Sequence, residues 1–149
     1  MQRSKRFSAP QNDIRRASGS AEKIWRRSNR TPLITIVDDD NSMREAVTSL
    51  IRSIGFKAET FASSEEFVQC NHLREIACLI LDVKMPGRSG LELQRQLSNA
   101  NYNIPIVFIT GRGDDRTREQ ALNAGAVEFL YKPFSEEALL KAINSALKI

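Results

Sequence analysis

Four consecutive apolar residues, Cys78-Leu79-Ile80-Leu81, run straight into Asp82, and the chain then turns at Met85-Pro86-Gly87. An apolar run of this length, ended by turn residues, predicts a strand over 77–82 that is buried on both faces. Taken alone, Asp82 reads equally well as a surface-turn aspartate, and the remaining strands decide. Leu33–Val37 is a β-branched run that ends in Asp38-Asp39-Asp40. Ile104–Thr110 is a third buried run, with Pro105 at its start, where a missing donor is tolerated. Ala126–Tyr131 closes on Lys132-Pro133. Phe56–Phe61 instead alternates apolar residues with Lys57 and Glu59, the pattern of a half-exposed edge strand.

Between these strands the period changes. Met43, Ala46, Val47, Leu50, Ile51 and Ile54 fall on one face of a helix that Asp40 or Asn41 caps and Gly55 ends. Ser63 and Glu66 have capping-box spacing and open a helix to about Asn71. Ser89 and Glu92 repeat that spacing for a helix to about Asn99. The fourth helix, about Asp114–Asn123, is the least apolar and is expected to be the least firmly held. Ser135 caps a last helix carrying Leu139, Ile143, Ala146 and Leu147.

Five strands alternating with five helices predict an α/β fold, a (βα)5 flavodoxin-like doubly wound parallel sheet. Burying strands one, three and four while leaving the second at an edge fits the strand order 2-1-3-4-5. In that order the polar ends of four strands converge: Asp38 and Asp39, Asp82, Thr110 and Lys132. Crowded carboxylates repel one another unless a cation is present. An all-oxygen anionic site suits Mg²⁺, which takes one or two carboxylates and keeps several waters. With an ammonium and a hydroxyl opposite, the set is equipped for phosphoryl transfer to an aspartate. That chemistry is mainly positioning and charge neutralisation, so no general-base histidine is required.

Charge alters this picture only at the N-terminus. Residues 1–30 hold nine of the chain's 22 Lys/Arg and two of its 18 Asp/Glu, a balance of +7, and the other 119 residues carry −3. The pI of about 9.3 therefore belongs to the tail. With few large apolar residues (Phe7, Ile14, Ile24, Trp25), residues 1–30 are expected to be a disordered basic extension. The tail lacks the patterning of a sequence-reading motif, so nucleic-acid binding is not expected. No run is long enough to span a membrane. Cys70 and Cys78 lack C-x-x-C spacing and read as two buried, reduced thiols, and His72, the single histidine, reads as a surface residue.

Val37-Asp38-Asp39-Asp40, Leu81-Asp82-Val83-Lys84-Met85-Pro86-Gly87-x-Ser89-Gly90, Ile109-Thr110-Gly111 and Phe129-Leu130-Tyr131-Lys132-Pro133-Phe134 occur in fixed order and spacing. Together they resemble the receiver domain of bacterial two-component response regulators, over residue 33 to about 147. Each motif is weak alone; four in register are specific. The wording after Asp82 and around Thr110 is most similar to nitrogen-fixation-type regulators, whose usual DNA-binding output domain is not expected here. The resemblance thus implies a basic extension over 1–30 and a receiver domain over 31–149, standing alone.

It further implies that Asp82 is the phosphoacceptor, that Asp39 binds Mg²⁺ directly, and that Asp38 acts largely through metal-bound water. The Lys84 carbonyl would complete the protein ligands. Thr110 would be the switch hydroxyl, Lys132 the phosphoryl-binding lysine, and Phe129 the switch aromatic residue. The Lys132-Pro133 bond would be cis. Lys84 and Arg112 would flank the approach of the hydrolytic water and set the lifetime of the acyl phosphate. The implied donor is a sensor histidine kinase or histidine phosphotransfer protein, in the cytoplasm. The implied output is an unidentified protein at the face of the fourth helix, fifth strand and fifth helix, with room for a phosphorylation-dependent homodimer. Slow autodephosphorylation, rather than turnover, is expected.

Two alternatives remain at this point. A haloacid-dehalogenase-like phosphatase could use Asp38-Asp39-Asp40-Asn41-Ser42, Thr110 and Lys132, but would leave Asp82 without a role and has only Glu136 and Glu137 for its late acidic motif. A degenerate receiver acting purely as an interaction module is the other, although every residue needed for phosphorylation is present.

Overall fold

The computed structural model describes residues 31–111 and 115–149. The N-terminal extension and Arg112 lie outside the described residues. Strands β1 (Leu33–Val37), β2 (Lys57–Phe61), β3 (Ile76–Asp82), β4 (Ile106–Thr110) and β5 (Glu128–Tyr131) form one sheet in the order β2-β1-β3-β4-β5. Every neighbouring pair is parallel, and Val37 lies level with Phe61 and Leu81. The helices are α1 (Asn41–Ser53), α2 (Ser64–Val68), α3 (Gly90–Asn99), α4 (Asp115–Asn123) and α5 (Glu136–Leu147).

The two faces of the sheet carry separate cores because successive strand residues point in opposite directions. On one face Ile34, Ile36, Cys78, Ile80, Val107 and Ile109 pack under Val47 and Ile51 of α1 and Leu139 and Ile143 of α5. On the other, Val37, Leu79, Leu81 and Phe108 meet Phe67 of α2, Leu93 and Leu97 of α3, and Ala121 of α4. All seven residues of β3 are buried, whereas β2 keeps Lys57 and Thr60 exposed at the sheet edge.

Helix starts follow the capping residues. Asp40 Oδ1 accepts from the backbone N–H groups of Ser42 (2.9 Å) and Met43 (3.3 Å), which identifies Asp40 rather than Asn41 as the cap of α1. Ser89 and Glu92 form a complete capping box. At α2 the box is displaced by one residue: Ser63 Oγ accepts from Glu66 N–H, but the Glu66 carboxylate reaches back to Ala62 N–H.

Several expectations need correction. Helix α2 stops at Val68 instead of Asn71, because the chain turns at Cys70 and enters a 3₁₀ turn over Leu73–Glu75. Ala46 lies on the solvent side of the α1 stripe, and Ile54 is 39% exposed because it sits at the C-cap, beyond the last helical turn. Cys78 is buried on β3, but Cys70 is only half-buried in the loop. His72 is likewise half-buried, with its ring against Glu59. Helix α4 buries only Ala121, in keeping with its weak apolar pattern.

Candidate functional site

The site lies at the carboxyl edge of the sheet, where β1, β3, β4 and β5 each give way to polar residues. Asp38 continues β1 by donating its N–H to Phe61 O (3.2 Å), so its side chain is carried under the sheet edge and fully buried. Its Oδ1 accepts from Asp40 N–H (2.9 Å) and its Oδ2 from Lys132 Nζ (2.9 Å). Arg44, one turn into α1, donates to the Asp38 backbone carbonyl (2.6 Å) and fixes that peptide. Asp39 is exposed. The chain thereby presents one acidic side chain inward and the next outward.

Asp82 ends β3 and is 4% exposed. Its Oδ1 accepts from the backbone N–H of Lys84 (3.2 Å), and its Oδ2 lies 3.6 Å from Lys132 Nζ. Burial, then the Asp38 charge beside it, pushes the Asp82 carboxyl up to about 7, against the opposing pull of Lys132 and the Lys84 N–H. Burial works against the charged form of Lys132, yet its hydrogen bond to Asp38 and the charges of Asp82 and Asp38 outweigh that cost and raise its pKa. Lys132 therefore stays an ammonium between two buried carboxylates.

Asp38, Asp39 and Asp82 each place a carboxylate oxygen within 4.8 Å of the others. With all three ionised, Lys132 offsets only one of three negative charges. That surplus, the all-oxygen donors and the exposed Asp39 fit a hard divalent cation such as Mg²⁺. Thr110 at the end of β4 is fully buried, and its carbonyl accepts from Lys132 N–H (2.8 Å), which locks the ends of β4 and β5 together. The Lys132-Pro133 peptide is cis. Phe129 is buried, its ring 6.1 Å from Phe108 and edge-on to Tyr131 at 5.3 Å. Lys84 is exposed at the mouth of the site.

Three supporting residues carry no role in the sequence reading. Gly90 donates its N–H to Val83 O (2.9 Å), and a Cβ there would lie 2.3 Å from the Asp82 carbonyl oxygen. Only a glycine lets α3 begin against the acceptor peptide. Glu65 Oε2 accepts from Arg88 N–H (3.1 Å) while Ser64 Oγ donates to Arg88 O (3.2 Å), so the start of α2 grips the loop that follows β3. Its own backbone N–H and that of Arg88 hold the Glu65 carboxyl below the usual range. Arg44 is the third. The Ser-Gly pair before a helix was a visible signal for Gly90; the Glu65 and Arg44 contacts had no local signature.

The chain matches the family described as "Response regulator receiver domain" over residues 34–144. It is 50% identical over 122 residues to the response regulator protein TodT of Pseudomonas putida, covering 82% of this chain and 54% of TodT. The chain thus spans about half the length of the curated relatives it matches. Among solved structures, it is similar to the response regulator StyR (TM-score 0.75, 48% identity, 80% of this chain and 60% of that one). The structure of FixJ-N is similar too, with TM-score 0.73, 34% identity, and coverage of 80% of this chain and 95% of that one.

Proposed function

This chain belongs to the response regulator receiver family, and so to phosphorelay signalling, and we propose that Asp82 is its phosphoacceptor. The phosphoryl donor is a sensor histidine kinase or a histidine phosphotransfer protein. One observation carries the reading: three carboxylates within 4.8 Å of one another share a sheet edge with an ammonium 2.9 Å from Asp38 and 3.6 Å from Asp82.

In the step itself an Asp82 carboxylate oxygen attacks phosphorus, the bond from phosphorus to the donor nitrogen or oxygen breaks, and the leaving group keeps the electron pair. Asp82 must be ionised to attack, and the Lys84 N–H and Lys132 favour that form. Lys132 Nζ, already aimed at the Asp82 carboxylate, is placed to hold a phosphoryl oxygen, and Thr110 stands at the adjacent strand end. Asp39, Asp82 and the Lys84 carbonyl would hold Mg²⁺, with Asp38 acting at one remove because Asp40 and Lys132 already engage both its oxygens. Bound Mg²⁺ would supply neutralising charge for the crowded carboxylates and the incoming phosphoryl oxygens.

Thr110 and Phe129 form the switch in this reading, and Tyr131, 41% exposed on the edge strand β5, supports placing the output partner on the α4, β5 and α5 face. Lys84 and Arg112 tune lifetime by shielding the acyl phosphate from water. The setting would be cytoplasmic, where such donors act. A haloacid-dehalogenase-like phosphatase is not favoured, because it gives no work to Asp82, the residue on which the site converges. The test is exposure to a small acyl phosphate with and without Mg²⁺, followed by intact-mass analysis. One phosphoryl group should be added only with Mg²⁺, little in Asp39→Ala and none in Asp82→Ala; undiminished labelling of Asp82→Ala would overturn the assignment.

A further inference from the structure

On the opposite side of β1 from its pairing with β3, the edge strand carries a second cluster. Glu59 on β2 and Cys70 and His72 in the loop after α2 each place a ligand atom within 4.8 Å of the others, and all three are half-buried. Glu59 and its register partner Thr35 lie two residues before Phe61 and Val37, so they share the α2–α3 face of the sheet. The loop folds over that face and brings a thiol, an imidazole and a carboxylate together from positions 59, 70 and 72.

The hydrogen bonding around the ring is compatible with a bound cation. His72 Nε2 lies 2.7 Å from Glu59 Oε2 and 2.9 Å from Oε1, while Nδ1 lies 3.3 Å from Asn71 Oδ1. Both ring nitrogens therefore face oxygen acceptors, and a neutral imidazole can donate from only one. If Nδ1–H serves Asn71, the Nε2 lone pair faces the Glu59 carboxylate, an arrangement that a second ring proton or a bound metal ion satisfies equally. The Cys70 sulfur accepts the backbone N–H of His72 (3.4 Å), which fixes the position of the sulfur beside the ring. Thr35 Oγ1 donates to Glu59 Oε1 (3.4 Å) and orients the carboxylate. Each ligand thus has an outer partner of the kind that steers metal ligands.

We propose that Glu59, Cys70 and His72 bind a borderline divalent transition ion of the Zn²⁺ type, at a site separate from the Asp38–Asp39–Asp82 cluster. Sulfur, nitrogen and oxygen donors select such an ion over Mg²⁺, and three protein ligands leave a fourth position for solvent. Tetrahedral bonds of about 2.0–2.3 Å need ligand atoms roughly 3.3–3.6 Å apart, so Glu59 and His72, now 2.7 Å apart, part slightly. The Cys70 S–H bond breaks as the sulfur–metal bond forms, and the proton leaves to solvent. Occupancy would pin the α2–β3 loop to the edge strand.

The test is a Co²⁺ titration of the full chain in excess Mg²⁺, which keeps the all-oxygen site occupied and spectroscopically silent. A thiolate-to-cobalt charge-transfer band should grow to one cobalt per chain and vanish on adding Zn²⁺. Cys78, buried with its thiol pushed up to about 12, should not contribute. The band should be lost in both Cys70→Ser and Cys70→Ala. Affinity should fall by at least about tenfold in His72→Gln, and by roughly 10- to 100-fold in Asn71→Ala through the outer contact alone. Absence of the band in the unmodified chain, its survival in the Cys70 variants, or unchanged affinity in His72→Gln would overturn the proposal.

Discussion

At Asp82 the fold holds a carboxylate where its charge is disfavoured, and the sign of the consequence follows from proton counting. Its folded pKa of about 7 lies above the ordinary 3.8, so between those values the folded, metal-free protein binds the extra proton. Stability attributable to this group is therefore present below pH 4 and declines as pH rises through 7. Asp82→Asn should remove the decline and stabilise the metal-free protein at pH 8 by on the order of 2 kcal/mol. Denaturant melts of both proteins at pH 5 and pH 8 check this, and a destabilised variant would show that burial and the Asp38 charge do not disfavour the Asp82 carboxylate. Lys84→Ala combined with Arg112→Ala should shorten the half-life of the phosphorylated chain several-fold by admitting water; an equal or longer half-life would refute shielding. The acidic residues, Thr110 and Lys132 were legible because each is a polar residue ending an apolar strand. The Glu59–His72 pair was not, since residues 13 apart in sequence met through a loop whose path no periodicity encodes.

Among the elements, α3 carries the most direct burden for the site, because its first turn abuts the acceptor peptide. Ser89→Ala removes a capping box and should cost about 1 kcal/mol while leaving phosphorylation nearly intact. Gly90→Ala should cost more, about 2–3 kcal/mol, and slow phosphorylation as well, because backbone rather than a flexible side chain opposes the new methyl. Equal effects of the two variants in thermal melts and labelling rates would contradict that reading. Strand ends and most caps were readable in the sequence, since each rests on chemistry within three residues. The length of α2 was not. Its capping signal fixed where it begins, but its end depends on Cys70 and His72 folding onto β2. Ile54 likewise kept the helical spacing on paper while the backbone had already left the helix.

For the whole molecule, two cores on one sheet hold the ends of β1, β3, β4 and β5 together, and the strand order was recoverable because β2 alternates polar and apolar residues while strands one, three and four read as buried. A phosphoryl group on Asp82 can shift a conformational equilibrium only by interacting differently with two states. Thr110 is the residue proposed to sense it, with Phe129 as the moving ring. Thr110→Ala should accept phosphate yet lose phosphorylation-enhanced binding of a partner or a second copy, measured by sedimentation or pull-down; retained enhancement would remove Thr110 from the switch. These effects all depend on where the phosphoryl group goes. Treating the phosphorylated chain with borohydride reduces an acyl phosphate to an alcohol and marks its carbon permanently, so peptide mapping reads the acceptor directly. The mark should fall on residue 82 alone and require Mg²⁺ during phosphorylation; a mark on Asp38 or Asp39, or none on residue 82, would contradict the account.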